Sequence, residues 1–120
     1  MDTNDDDGKR LLLRGEQACD HAAIAALNEA AFGQPGEAAL VDALRAHGAL
    51  TLSLVAIAND ELVGHIAFSP VTITGDGGVR QAIGLAPMAV APAWQRRGVG
   101  ARLVREGLER LHAAGAPAVV

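Results

Sequence analysis

Tyrosine is absent, cysteine occurs once, and Phe32, Phe68 and Trp94 are the whole aromatic content of the 120 residues. The lone thiol, Cys19, excludes an internal disulfide and a cysteine-rich metal site, and nothing in the sequence supplies it with a base. Three aromatics make no stacking platform for single-stranded nucleic acid. No apolar run is long enough to span a membrane, and the N-terminus is acidic where a secretion signal is basic. A cytoplasmic location with no membrane partner is expected. A one-signed charge field is lacking as well. The net charge is −4, but Asp2, Asp5, Asp6 and Asp7 lie at the start of the chain, and setting them aside leaves 10 acidic against 10 basic residues. That balance leaves no broad basic face for nucleic acid. His21, His47 and His112 show no metal-like spacing, so no metal is expected.

What is present suits one domain with one core, half of its residues being hydrophobic. Residues 1–8 read as a disordered acidic tail and residues 9–120 as the folded domain. Leu11-Leu12-Leu13-Arg14 reads as a first strand. Asp20 is suited to N-cap a helix over His21 to Phe32, with Ala23, Ile24, Leu27, Ala30 and Ala31 as its apolar stripe. Gly33 and Pro35-Gly36 break that helix. A second runs through Leu40, Val41 and Leu44 to about His47, closed by Gly48. Residues 51–58 and 62–74 form strands about a tight turn at Asn59-Asp60-Glu61, and Gly75-Asp76-Gly77-Gly78 turns into a further strand at residues 82–90. A last helix carries Val99, Leu103, Val104, Leu108 and Leu111 on one face and ends at Gly115, and Ala118-Val119-Val120 begins another strand.

The junction before that last helix, Gln95-Arg96-Arg97-Gly98-Val99-Gly100, holds most of the chemical information. First-turn N–H groups have no acceptor inside their helix and stand at the positive end of its dipole, and glycine lets a ligand approach them. Arg96 and Arg97 add fork-shaped donors suited to phosphate oxygens. A phosphate-bearing ligand fits. A nucleotide-hydrolysing loop needs Lys and Ser/Thr after its last glycine, where this chain has Ala101-Arg102. A dinucleotide fingerprint needs a small residue where Leu103 stands.

The run from Pro87 to Val104, with Val90-Ala91-Pro92, Gln95, Gly98 and Gly100 at their offsets, resembles the acetyl-CoA signature of the GCN5-related N-acetyltransferases. Residues 62–70 resemble that family's third strand, and Ala30-Ala31-Phe32 with residues 40–45 its substrate-side helices. The resemblance runs from about Leu11 to the last residue and is closest to small bacterial acetyltransferases. It implies an α/β fold, with a mixed, mostly antiparallel sheet and helices on both faces. It also implies that the family's C-terminal strands and helix are missing here. An unpaired edge left by such a truncation invites association, so a homodimer is a candidate state.

The resemblance further implies acetyl-CoA as cosubstrate and, as acceptor, a primary amine of a small molecule or peptide that attacks the thioester directly. Pantetheine is expected along the backbone of Met88, Ala89 and Val90, and the pyrophosphate on the backbone of Gln95, Arg96, Arg97, Gly98, Val99, Gly100 and Ala101. Arg96 and Arg97 are placed either to contact phosphate or to stand solvated; Gln95 either touches the ligand or shapes the loop. The family's usual glutamate on the fourth strand and tyrosine after the fifth have no counterpart here. His65, sharing a strand face with Val63, Ala67 and Ser69, is the remaining candidate base, against the plainer role of a satisfied half-buried side chain. Glu37 and Asp42 either face an amine or are a solvated helix face. A non-catalytic CoA-binding or interaction module is the alternative function, and a different phosphate-ligand protein the next.

Overall fold

The structure is a computed structural model and describes residues 11–120; the tail expected at residues 1–8 lies outside the described residues. Four strands, β1 (Leu12–Gly15), β2 (Leu52–Ala58), β3 (Glu61–Gly75) and β4 (Gly78–Val90), make an antiparallel meander in the order β1-β2-β3-β4. Helices α1 (His21–Phe32) and α2 (Gly36–Ala46) link β1 to β2, and α3 (Val99–Ala113) follows β4. The alternation of side chains along β2 shows where the helices lie. Leu54, Ala56 and Ala58 pack in one cluster with Val99, Leu103 and Leu111 of α3, whereas Val55 packs with Ile24 of α1 and Val41 of α2. Helices therefore cover both faces, as expected.

Turn chemistry sets the meander. Asn59 and Asp60 take φ of 52° and 64° between the paired residues Ala58 and Glu61, the left-handed pair that matches strand twist in a two-residue hairpin. The β3–β4 hairpin is longer than the expected strand at residues 82–90. Its ladder runs back to Gly75 opposite Gly78, because the β-branched run Val71-Thr72-Ile73-Thr74 of β3 keeps pairing with residues 79–82 up to the Asp76-Gly77 tip. Near its other end the ladder is irregular. Ile66 faces Met88 and Phe68 faces Leu85, so Ala86 and Pro87 stand opposite Ala67 alone and bulge β4. Residues 118–120 run parallel to β4, with Ile83 N–H donating to Ala118 O (2.9 Å) and Val120 N–H to Ile83 O (2.8 Å). That contact makes the sheet mixed.

Two local expectations are amended. Asp20 holds the N-cap position of α1, as expected, but its side chain makes no cap bond to that helix. Its own backbone is already helical, and its carboxylate accepts from the N–H of Gln17 (2.7 Å) and from Arg14 (2.7 and 3.1 Å), closing a short turn that precedes the helix. The buried line on α3 is Val99, Leu103, Gly107 and Leu111, while Leu108 is 40% exposed. The helix approaches β3 too closely for a side chain at position 107. A Cβ there would lie 2.5 Å from the Phe68 ring, and one at Gly64 2.8 Å from Val99 Cγ1. Two glycines thus let α3 settle onto the sheet, with Phe68 filling the space.

Candidate functional site

The expected phosphate junction is assembled at the end of β4. After Val90 the chain makes a short turn at Pro92–Trp94, then takes φ of 65° at Arg96 and 82° at Gly98 before α3 opens at Val99. The first bond closing the helix is Arg102 N–H to Gly98 O (3.1 Å), so the N–H groups of Val99, Gly100 and Ala101 precede any intrahelical acceptor. Gly98 is the N-cap and has no side chain to satisfy them. Its left-handed φ is the conformation that glycine adopts without a Cβ penalty. Trp94 packs against the core beneath the loop, and the Arg97 guanidinium lies over its ring, 5.2 Å from the centroid. Arg96 and Arg97 are both exposed, which places two formal positive charges beside the open helix start.

The same turn lies against β4. A Cβ on Gly100 would be 3.2 Å from Met88 Cε and 3.8 Å from Val90 Cγ2, so the helix start rests on those side chains. Gln95 reaches back, its side-chain amide donating to Val90 O at 3.1 Å. This bond holds the loop to the strand. Among the described residues no strand pairs with the outer edge of residues 86–90, since the parallel contact of residues 118–120 stops at Leu85. Met88, Ala89, Val90 and residues 95–101 therefore form one continuous border, an open strand edge running into an open helix start.

His65 lies elsewhere. It is on the opposite face of β3 from α3, fully buried, with both ring nitrogens engaged. Ser53 Oγ has one hydrogen, which it donates to Glu16 Oε1 (2.5 Å), so the contact of 2.9 Å with His65 Nε2 must be a bond from Nε2–H. Nδ1 then accepts from Asn28 Nδ2 at 3.4 Å, and the same amide donates to Ile24 O at 3.0 Å. Burial lowers the His65 pKa to about 4, with the charge of Glu16 pulling the other way, so the ring is neutral at physiological pH. As folded, it offers no free nitrogen to an amine. Glu16 anchors the line at the surface, accepting two bonds from Arg45 (2.8 and 2.9 Å) and standing 3.2 Å from His21 Nε2. Burial raises the Glu16 pKa, but bonds from Arg45 and Ser53 outweigh it and hold the carboxyl below its ordinary value.

Sequence reasoning missed Glu16, Asn28, Arg45 and Ser53, which carry no motif. The available signal was a polar residue interrupting each of two apolar strands, Ser53 and His65, two places out of register across the β2–β3 pair. Glu37 and Asp42 are not brought to the β4 border; Asp42 instead accepts from Arg45 at 2.9 Å. Among the described residues no group of three or more His, Cys, Asp or Glu is arranged to hold a metal ion. No described helix is long and apolar enough to cross a membrane.

Mostly antiparallel sheet, bulged fourth strand and glycine-opened helix together define an α/β domain with an open main-chain border at the end of β4. The comparisons agree on which such domain it is. The family described as "Acetyltransferase (GNAT) domain" matches residues 13–120, and the chain belongs to it. It is 40% identical over 111 residues to YhbS of Escherichia coli (strain K12), described as an uncharacterized N-acetyltransferase, covering 92% of this chain and 65% of that protein. The chain thus spans just under two thirds of the length of this curated relative. Among solved structures it is similar to a GNAT family acetyltransferase from Brucella melitensis in complex with acetyl-CoA. That match has 47% identity and a TM-score of 0.81, covering 88% of this chain and 71% of the other. It is also similar to Escherichia coli YhbS in complex with CoA, with 40% identity and a TM-score of 0.83, covering 92% and 61%.

Proposed function

We propose that the chain is a cytoplasmic N-acetyltransferase that moves an acetyl group from acetyl-CoA to a primary amine of a small molecule or peptide. The observation that carries this reading is the single border formed by the free edge of residues 86–90 and the open helix start at residues 98–101. An amide-bearing pantetheine arm fits a strand edge as an added strand, and a diphosphate fits unpaired helix N–H groups beside Arg96 and Arg97. Two relatives similar to this chain were crystallised with acetyl-CoA or CoA. In the step itself the amine nitrogen attacks the thioester carbon. A C–N bond forms, the C–S bond breaks, and one proton passes overall from nitrogen to the departing thiol. The chain's own residues bind and align the thioester, which lowers the barrier by proximity.

No ionisable residue lies between positions 82 and 90. This absence favours a second reading, a CoA-binding module without turnover. One experiment separates them. Calorimetry with CoA should show binding, and acetyl-CoA with an amine panel should release free thiol. Binding without thiol release supports the module; neither result fits a different phosphate ligand, which would bind nucleotides and ignore CoA. A homodimer belongs to the same proposal, and sedimentation measures it.

A further inference from the structure

We propose, resting on the acetyl-transfer reading above, that Asn28 and His65 are positioning residues for the amine acceptor, their hydrogen-bonded clasp fixing α1 over β3 and β4 on the sheet face left to the acceptor when the α3 side takes the diphosphate. α1 packs on both strands, and His65 stands in register with Ala89, within the β4 segment that borders the open edge. Ile24, Val41 and Val55 hold the two helices down on this face by apolar contact. Apolar burial has no direction, so it sets how firmly a helix sits but not where along the sheet it stops. Hydrogen bonds do set direction. Asn28 binds back to its own helix at Ile24 O and forward to His65 Nδ1, while Nε2 is fixed by Ser53 and Glu16, and through Glu16 by Arg45 of α2. One polar line ties both helices to β2 and β3.

The clasp is held at a cost. Asn28 Oδ1 is fully buried with no hydrogen-bond partner among the described residues. Such an oxygen gives up its hydration with nothing in return. A leucine of similar size would fill the site without that loss, so packing alone does not account for asparagine here. A requirement for a defined helix position does, because only the amide supplies the two directed bonds.

The test uses the full chain with two variants. Asn28→Leu removes the orphan oxygen and the clasp together. His65→Gln keeps a donor toward Ser53 and loses the acceptor toward Asn28. For both we expect unchanged CoA affinity and, for Asn28→Leu, a thermal midpoint equal to or above that of the parent. The KM for the amine should rise about tenfold, the factor expected when one net hydrogen bond is lost, with kcat changed less. Amide hydrogen exchange in α1 should quicken relative to β2. Unchanged amine KM together with unchanged α1 exchange overturns the proposal. So does a midpoint that falls in step with CoA affinity, the mark of an ordinary packing residue. The exchange measurement reads the clasp without turnover. A parent chain that acetylates nothing yet shows the exchange change therefore sinks the transfer reading, and an active parent with indifferent variants sinks this one.

Discussion

On the α3 side of the sheet, the polar groups that matter belong to the backbone: the helix start at residues 98–101 and the edge of residues 86–90. On the α1–α2 side they are side chains, and Arg45, Glu16, Ser53, His65 and Asn28 bond to one another in a line. Main-chain donors left open can serve a ligand, because nothing in the fold competes for them. A side-chain line closed on itself has spent its donors and serves the fold, or the placement of a helix. The two sides hence respond to different perturbations, one to bulk and charge, the other to protonation.

The largest effect is expected from a carboxylate placed in the open helix start. Gly100→Glu should lower CoA affinity about a hundredfold or more, because an anion then occupies the site that favours anions. Its fold should survive, since the only tight contact of the new Cβ is the flexible end of Met88. Gly98→Glu should do the same and also lose stability, by about 1–2 kcal/mol, for a left-handed residue with a Cβ. Calorimetry and thermal melts separate the two effects. The same substitutions on a merely well-capped helix would leave CoA indifferent.

Next is protonation of the closed side. His65 has a folded pKa of about 4 against an ordinary 6.5, so the unfolded chain takes up the proton first as pH falls. Stability from this group is complete above about 6.5 and is lost progressively down to about 4, amounting to about 3 kcal/mol at most. Glu16 and Asp20, whose pKa values are lowered, add a further loss at more acidic pH. Urea unfolding across this range should show the slope, and His65→Gln should flatten its upper part. A slope that survives the substitution would assign it to other groups.

A smaller effect sharpens what glycine does on each side of the comparison. Gly107→Ala should destabilise the chain by about 1–2 kcal/mol despite a gain of about 1 kcal/mol in helix propensity, because its Cβ must displace the buried Phe68 ring. CoA affinity should be unchanged. Thermal melting with and without CoA checks both statements.

The sequence made the open side legible because everything needed there lies within a few residues: a strand, a turn, glycines at fixed offsets and an amphipathic helix. The strand hairpins were readable for the same reason, Asn59-Asp60 being a local turn signal. The closed side was not readable, since Glu16, Asn28, Ser53 and His65 come from a loop, a helix and two strands and meet only in the folded chain. His65 stood out as a polar residue in an apolar strand, but its partners could not be named. Asp20 carried a helix-cap signature that a nearby arginine and an earlier turn captured instead. Leu108 matched the helical period, yet the close approach at Gly107 rotated the contact away from it. The bulge at Ala86 and Pro87 has no local sequence mark beyond the proline itself.

The most direct measurement is a titration of the isotopically labelled chain with CoA, following backbone amide signals by NMR. We expect the largest shifts at Val99, Gly100 and Ala101, with Met88, Ala89 and Val90 moving alongside them and the amides around Asn28 and Ser53 unmoved. Saturable binding that leaves residues 98–101 unshifted would contradict a main-chain grip on the diphosphate.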